Sequence, residues 1–133
     1  MNAASIHIKD ILSSPEAGEL GLVFGTTLFI GREPAKPDNC ATIYDYAGKP
    51  PALAVDGTVG YEYPAVQIRV RNLSYFEGMN LVYKIQRYLH GMANKTIEGT
   101  LYGAIYCSSG PAFLDWDNNN RVRLIINYQI QRR

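Results

Sequence analysis

The stretch VRLIINYQIQ, residues 122–131, alternates between apolar side chains and mostly polar ones. In a β-strand this alternation places the two sets on opposite faces of the sheet. One face carries Val122, Leu124, Ile126, Tyr128 and Ile130, and the other carries Arg121, Arg123, Asn127, Gln129 and Gln131. The apolar face has to be buried, so the stretch predicts a strand of a sheet that is covered on one side.

A second segment, YPAVQIRVRN at residues 63–72, repeats the alternation. Val66, Ile68 and Val70 fall on one face, and Gln67, Arg69 and Arg71 fall on the other. Sheets with one apolar and one polar face are usually antiparallel, with helices covering one side. The two segments therefore predict neighbouring strands in such a sheet.

The clearest helix is predicted from Ser74 to Met92, between these two strands. Apolar residues recur there at steps of three and four, at Met79, Val82, Ile85, Leu89 and Met92. Ser74 is a candidate N-cap, with Glu77 completing a capping box and Gly91 or Asn94 ending the helix. Strands before and after one long helix predict an α+β fold.

The remaining elements follow from composition and from the density of glycine and proline. Ile8, Ile11 and Leu12 predict a short helix over residues 3–13. Strands are predicted at 22–34, 40–48, 101–107 and 111–117, with hairpin connections at 108–110 and 118–120. The segment from Gly48 to Gly60 is too long for a tight hairpin, and predicts either a loop that orders on a neighbour or a disordered connection. At 133 residues, the chain is expected to form one domain, 1–133.

Composition excludes several functional classes. Thirteen basic and twelve acidic residues leave a net charge of +1, so no general attraction for nucleic acid is expected. No stretch has the length of a membrane span, and the first residues lack the pattern of a signal peptide, which predicts a protein made in the cytoplasm. Ten tyrosines are present, and tyrosine suits surfaces buried on assembly as well as ordinary cores.

No catalytic, cofactor or metal site is predicted. His7 and His90 are the only side chains with a near-neutral pKa in unperturbed form, and neither lies in a known catalytic motif, so both are expected at the surface. The segment from Asp115 to Asn120 resembles the start of a calcium loop, but Asn120 and Ile126 stand where such loops need glycine and glutamate. A hairpin turn is therefore favoured there.

The C-terminal third, from GAIYC through PAFLDWDNNNRVRLIINYQIQRR, resembles the minor capsid or tail-terminator proteins of tailed bacteriophages. In that family a short acidic turn leads into a final strand with an Asn-aromatic pair and a terminal arginine. The matching positions are Asp117, Asn119, Arg121, Asn127, Tyr128 and Arg132. NCATIYDYAGKPP, YPAVQIRVRN and the helix SYFEGMNLVYKIQRYLHG extend the similarity upstream. Trp116 and the all-asparagine turn depart from the family pattern.

The resemblance implies a structural virion protein of the neck or tail, assembled in the host cytoplasm. Such a protein forms a six-subunit ring on the end of the tail tube, stops tube polymerisation and contacts a head-completion or connector protein. DNA would only pass through the lumen of this ring, and neither a membrane nor a small-molecule substrate would be a partner.

A closed ring needs two different complementary patches on each subunit. An exposed arginine face and an acidic turn are candidate opposite halves of that interface, formed by Arg69, Arg71, Arg121 and Arg123 on one side and by Asp115 and Asp117 on the other. Because Arg121 lies on the polar face, Arg121→Glu is expected to impair assembly and to leave the subunit folded. A solvated sheet face and a solvated turn would explain the same residues.

Two alternatives remain open. Another neck or tail-tube component would share the small size and the α+β character. A small ligand-binding domain would instead use a pocket between the long helix and the sheet, with tyrosines and His90 as polar contacts.

Overall fold

A computed structural model describes residues 2–53, 55, 57 and 60–133. Part of the predicted Gly48–Gly60 loop therefore lies outside the described residues. The described residues form two α-helices, one 3-10 helix and one six-stranded sheet. In chain order the elements are α1 (Ala4–Leu12), the 3-10 helix (Pro15–Leu20), β1 (Leu28–Ile30), β2 (Cys40–Lys49), β3 (Tyr63–Asn72), α2 (Tyr75–Leu89), β4 (Met92–Ile97), β5 (Thr100–Trp116) and β6 (Val122–Arg132).

The sheet has the strand order β1-β2-β3-β6-β5-β4, with only β1 and β2 parallel. The predicted α+β fold with a mainly antiparallel sheet, a short N-terminal helix and one long helix is confirmed. The two segments with alternating apolar and polar residues, 63–72 and 122–131, form neighbouring strands, because Ile68 of β3 lies opposite Ile126 of β6. Burial alternates without a break along β6, so the one-sided sheet predicted from this strand is also confirmed.

The helices cover one face of the sheet. α1 packs over β1, β2 and β3, and α2 packs over β3, β6 and β5. Val82, Ile85 and Leu89 of α2 are fully buried, and they join the apolar residues of β3 and β6 in one hydrophobic core. Burying these side chains supplies the main favourable free energy of folding, at roughly 1.5–3 kcal/mol per large aliphatic residue.

The start of α2 follows the predicted N-cap, but its end does not follow the predicted boundary. The Ser74 hydroxyl accepts a hydrogen bond from the Glu77 amide at 3.3 Å. The Ser74 amide, however, donates to the Asn72 side chain at 2.8 Å, so Asn72 replaces Glu77 in the second half of the cap. The helix ends at Leu89 rather than Met92, and Gly91 follows with a φ of 85°.

Three predicted boundaries in the sheet are wrong. Residues 92–97 form an edge strand, β4, where only the end of α2 was expected. The expected pair of strands at 101–107 and 111–117 is one strand, β5, and residues 108–110 form part of a bulged stretch rather than a hairpin. Only Leu28–Ile30 of the expected strand at 22–34 pairs with β2. The hairpin connection at 118–120 is confirmed.

Candidate functional site

A charged cluster lies at the end of the sheet where β5 turns into β6. The Asp117 carboxylate accepts hydrogen bonds from the backbone amides of Asn119 at 2.9 Å and Arg121 at 3.0 Å. It also accepts one from Arg121 Nε at 2.7 Å. Burial alone would raise the pKa of the Asp117 carboxyl, but the hydrogen bonds from Arg121 and Asn119 hold it below its usual value. Asp117 therefore organises the turn as a carboxylate.

Arg121 ties this turn to the segment that precedes β2. Its Nη1 atom donates to the Ala35 carbonyl at 2.7 Å and to the Asp38 carboxylate at 3.2 Å. The side chain is only 6% exposed, because residues from the β1–β2 connection cross over it. Such a buried guanidinium is stable only with partners for its N–H groups, and these contacts supply them.

Glu33 links two further arginines of the cluster. One of its carboxylate oxygens accepts hydrogen bonds from Arg71 Nη1 at 3.2 Å and from Arg123 Nε at 3.0 Å. Arg123 also reaches both oxygens of Asp115 at 3.1 Å. Arg71 is 2% exposed and donates to the Pro37 carbonyl at 2.6 Å. The cluster therefore joins β3, β5, β6 and the β1–β2 connection.

The cluster surrounds an open cleft of about 580 Å³. Its walls are formed by Arg32, Glu33, Pro34, Ala35, Arg71, Arg121 and Arg123. Three of the four arginines already bind carboxylates of the same chain, which leaves little free positive charge to hold an anion. The geometry is that of a charged scaffold that fixes the end of the sheet.

Arg69 shares with Arg71 and Arg123 the sheet face opposite the helices, but it forms no ion pair with the carboxylates of this cluster. Its guanidinium lies over the Tyr44 ring at 4.9 Å from the centroid and donates to the Gln67 side chain at 3.2 Å. The side chain is half-buried. The structure thus brings together five of the six predicted interface residues and leaves Arg69 outside their ion pairs.

The expectation of an exposed arginine face is wrong for Arg71 and Arg121. Both are buried because residues 33–38 cover the end of the sheet from the other side. The acidic turn is also no separate patch, since Asp117 and Asp115 bind Arg121 and Arg123 within the same subunit. Asp115 and Arg123 retain exposed side-chain fractions of 48% and 25%, and their contact with another subunit remains a prediction.

A group of exposed aromatic residues lies near the same end of the molecule. Three of them belong to α2 and two to the outer half of β5, namely Tyr75, Phe76, Tyr83, Phe113 and Trp116. Phe113 lies opposite Leu124, and Trp116 lies opposite Val122, so both share the helix-covered face. The sequence could have indicated these exposed aromatic residues, because Phe76 and Tyr83 do not fall on the apolar stripe of α2.

The two histidines considered as catalytic candidates lie in different surroundings. His7 is 1% exposed, contrary to the expected surface position, and its Nδ1 lies 2.6 Å from the Tyr102 hydroxyl. His90 accepts a hydrogen bond from the Cys107 amide at 2.8 Å. Within residues 2–53, 55, 57 and 60–133, no group of three or more His, Cys, Asp or Glu side chains is placed to hold a metal ion.

The space between α2 and the sheet is filled by core side chains, including Val82 and Ile85 at 0% exposure. A depression of about 220 Å³ lies instead between α1 and β4, near Ile11 and Ile97. No helix in the described part of the chain is long and apolar enough to cross a membrane.

The sequence of the chain matches a known protein family. A family model described as bacteriophage tail terminator protein matches residues 17–133. The match runs from the 3-10 helix to the last residue and so includes the whole sheet, α2 and the charged cluster. No curated protein matches the chain.

Proposed function

The chain belongs to the bacteriophage tail terminator protein family, and from this premise we propose that it forms a ring that caps the tail tube. It is a structural component of the phage tail. The ring stops polymerisation of the tube and offers its outer surface to a head-completion or connector protein, which joins tail to head. The observation that carries this proposal is the family match over nearly the whole chain.

A homohexamer would satisfy the geometry of a tube end, because a closed ring leaves no unpaired subunit contact. Each subunit then needs two different surfaces that fit each other. Its partners are further copies of itself, the tail tube protein and the connector, and assembly takes place in the host cytoplasm. DNA would only pass through the lumen, which agrees with a formal charge of +1, an excess of only one basic residue.

The charged cluster has a defined part in this proposal. Buried Arg71 and Arg121 hold the β5–β6 turn and residues 33–38 in one arrangement. The side chains of Asp115 and Arg123 are partly exposed beside these buried arginines and are available to contact the tube or the connector. Half-buried Arg69 lies on the same sheet face as Arg123 and Asp115, two residues before Arg71. Charges held in one geometry favour recognition of a specific partner more than they raise affinity.

Binding to tube ends tests the proposal. Purified protein carrying a gold label would be mixed with purified tail tubes and, separately, with purified heads that carry their connectors, and both mixtures would be viewed by electron microscopy. The label is expected at one end of each tube and absent from the sides. Label along the tube walls, or no label on any tube, would contradict a capping role. Label only on head connectors would identify the protein as a neck component that does not contact the tube.

A further inference from the structure

Helix α1 is fastened to the sheet by a buried histidine. His7 lies in the middle of α1, and its side chain is 1% exposed. Its Nδ1 atom lies 2.6 Å from the hydroxyl of Tyr102 on β5, and the two rings meet edge to face with their centroids 5.4 Å apart. His7 is therefore a buried titratable group that has no part in the proposed capping function.

Arg132 of β6 fixes the direction of the hydrogen bond between Tyr102 and His7. Its Nη1 atom donates to the Tyr102 hydroxyl oxygen at 3.1 Å. Since a guanidinium group can only donate, the hydroxyl accepts from Arg132 and has its own hydrogen left for His7. His7 Nδ1 is then the acceptor, so the neutral ring carries its proton on Nε2.

The surroundings of the other ring nitrogen agree with this tautomer. His7 Nε2 lies 3.5 Å from the carboxylate of Glu98, in the turn between β4 and β5. An N–H group at Nε2 faces that carboxylate favourably, whereas a lone pair there would repel it. Glu98 is 62% exposed and also accepts a hydrogen bond from Asn2 at 3.0 Å. Solvent therefore weakens its attraction for a positive charge on His7.

A second proton on His7 would disturb this arrangement. It would turn Nδ1 into a donor, so the Tyr102 oxygen would have to accept from His7 and Arg132 together. The hydroxyl hydrogen would then lose its acceptor, and two cations would share one buried oxygen. Tyr102 is fully buried and the Arg132 side chain is 8% exposed, so water screens this conflict less than it screens Glu98.

The remaining charged groups around His7 have partners of their own. On α1, Lys9 and Asp10 form an ion pair with each other. Asp45 of β2 accepts two hydrogen bonds from the start of α1, and Glu62, just before β3, pairs with the end of β6. Both sheet carboxylates are thus engaged with donors other than the imidazole ring. The conflict at the Tyr102 oxygen therefore decides how α1 responds to acid.

We propose that His7 is an acid-sensitive switch for α1. The neutral ring holds the helix on the sheet, and uptake of a second proton loosens the helix. The switch acts through Tyr102 and Arg132, and it couples the first helix of the chain to the last strand. It is independent of the capping function, so either inference stands if the other fails.

NMR spectroscopy of the full chain tests the tautomer without any change around His7. In ¹⁵N-labelled protein near pH 8, His7 is expected to show an unprotonated Nδ1 and a protonated Nε2. Comparison with the His90→Gln variant tells the signals of the two histidines apart. A neutral His7 ring with its proton on Nδ1 would overturn the inference.

Hydrogen exchange of the α1 amides tests the switch itself. After correction for the intrinsic pH dependence of exchange, the protection of the Ile8, Ile11 and Leu12 amides is expected to fall about tenfold between about pH 7 and pH 5. His7→Gln should give nearly equal protection at both pH values. His90→Gln is the matched control and should behave like the wild type. Wild-type protection that stays constant over this range, or an equal fall in His7→Gln, would overturn the inference.

Glu98→Gln provides a second variant that leaves the buried contacts of His7 intact. It removes the carboxylate that favours a charged ring, so the attached helix should tolerate the second proton less well. The fall in α1 protection between about pH 7 and pH 5 is therefore expected to be larger than in the wild type. A smaller fall would show that protonation strengthens the attachment, which would contradict the proposed switch.

Discussion

Arg121 Nε donates a hydrogen bond of 2.7 Å to the Asp117 carboxylate, and both side chains are more than nine-tenths buried. The same arginine binds the Ala35 carbonyl on a segment 86 residues away in sequence. This pair therefore locks a local turn and a long-range contact together. Because both side chains are buried, substitutions of either residue are expected to destabilise the subunit.

Arg121→Glu is expected to destabilise the subunit by about 3–5 kcal/mol, because it places a buried carboxylate beside the buried Asp117 and the half-exposed Asp38 and removes their cationic partner. The measurement is urea unfolding followed by circular dichroism. Arg69→Glu is the control, since Arg69 contacts Tyr44 and Gln67 rather than a carboxylate, and a loss of about 1 kcal/mol is expected there. Equal stability of Arg121→Glu and the wild type would support the exposed position expected from sequence.

Asp117 is expected to make stability fall in acid. Its pKa is lowered in the folded state, so its contribution is complete above the unfolded pKa of about 3.9 and is lost as pH falls through the folded value. Asp117→Asn removes this contribution at every pH. Urea midpoints of the wild type and of Asp117→Asn should therefore stay apart between pH 7 and about 4 and converge as the pH falls further. A gap that stays constant during this further fall would exclude Asp117 as the titrating group.

Two fully buried tyrosines are expected to respond oppositely to removal of the hydroxyl. The Tyr128 hydroxyl has no hydrogen-bond partner among the described residues, and burial raises its pKa. Tyr128→Phe should be neutral or stabilising by up to about 1 kcal/mol. The Tyr102 hydroxyl contacts His7 and Arg132, so Tyr102→Phe should cost about 1–3 kcal/mol. Thermal unfolding of both variants checks the contrast, and a loss at Tyr128 equal to that at Tyr102 would refute it.

Gly78 of α2 packs closely against Leu124 of β6. A Cβ atom there would lie 2.9 Å from a methyl group of Leu124 and 3.3 Å from Asn72 Cβ. Alanine favours a helix by about 1 kcal/mol over glycine, but the displaced contacts should cost more, giving a net loss of about 1–2 kcal/mol. Asn80→Ala on the exposed side of α2 is the control and should be neutral or slightly stabilising. A stabilised Gly78→Ala variant would show that α2 can shift away from the sheet without loss.

The fold was predictable where one face of an element is apolar. The alternation in β6 and β3 and the apolar stripe on α2 each indicate which face of the element is buried. β4 escaped prediction because MANKTI is a short edge strand whose apolar residues, Met92, Ala93 and Ile97, do not alternate with polar ones. Its hairpin to β5 depends on Glu98 and Gly99 at positive φ, which sequence alone does not reveal for glutamate.

The site was only partly predictable. Asp117 and Arg121 were assigned to opposite halves of an interface between subunits, whereas the structure pairs them within one turn, four positions apart in sequence. The burial of Arg71 and Arg121 depends on residues 33–38, which cross the end of the sheet from far away in the chain. No local pattern contains that information, so alternation predicted an exposed face where a second segment covers it.

Tail length in the absence of this protein tests the central claim most directly. Lysates of a phage with an early stop codon in this gene would be examined by electron microscopy, beside lysates complemented with the wild-type chain. A terminator predicts filled heads next to unattached, overlong tails of irregular length, with normal virions after complementation. Normal virions from the stop-codon phage would contradict the account, and lysates without any tails would assign the protein to tube initiation instead.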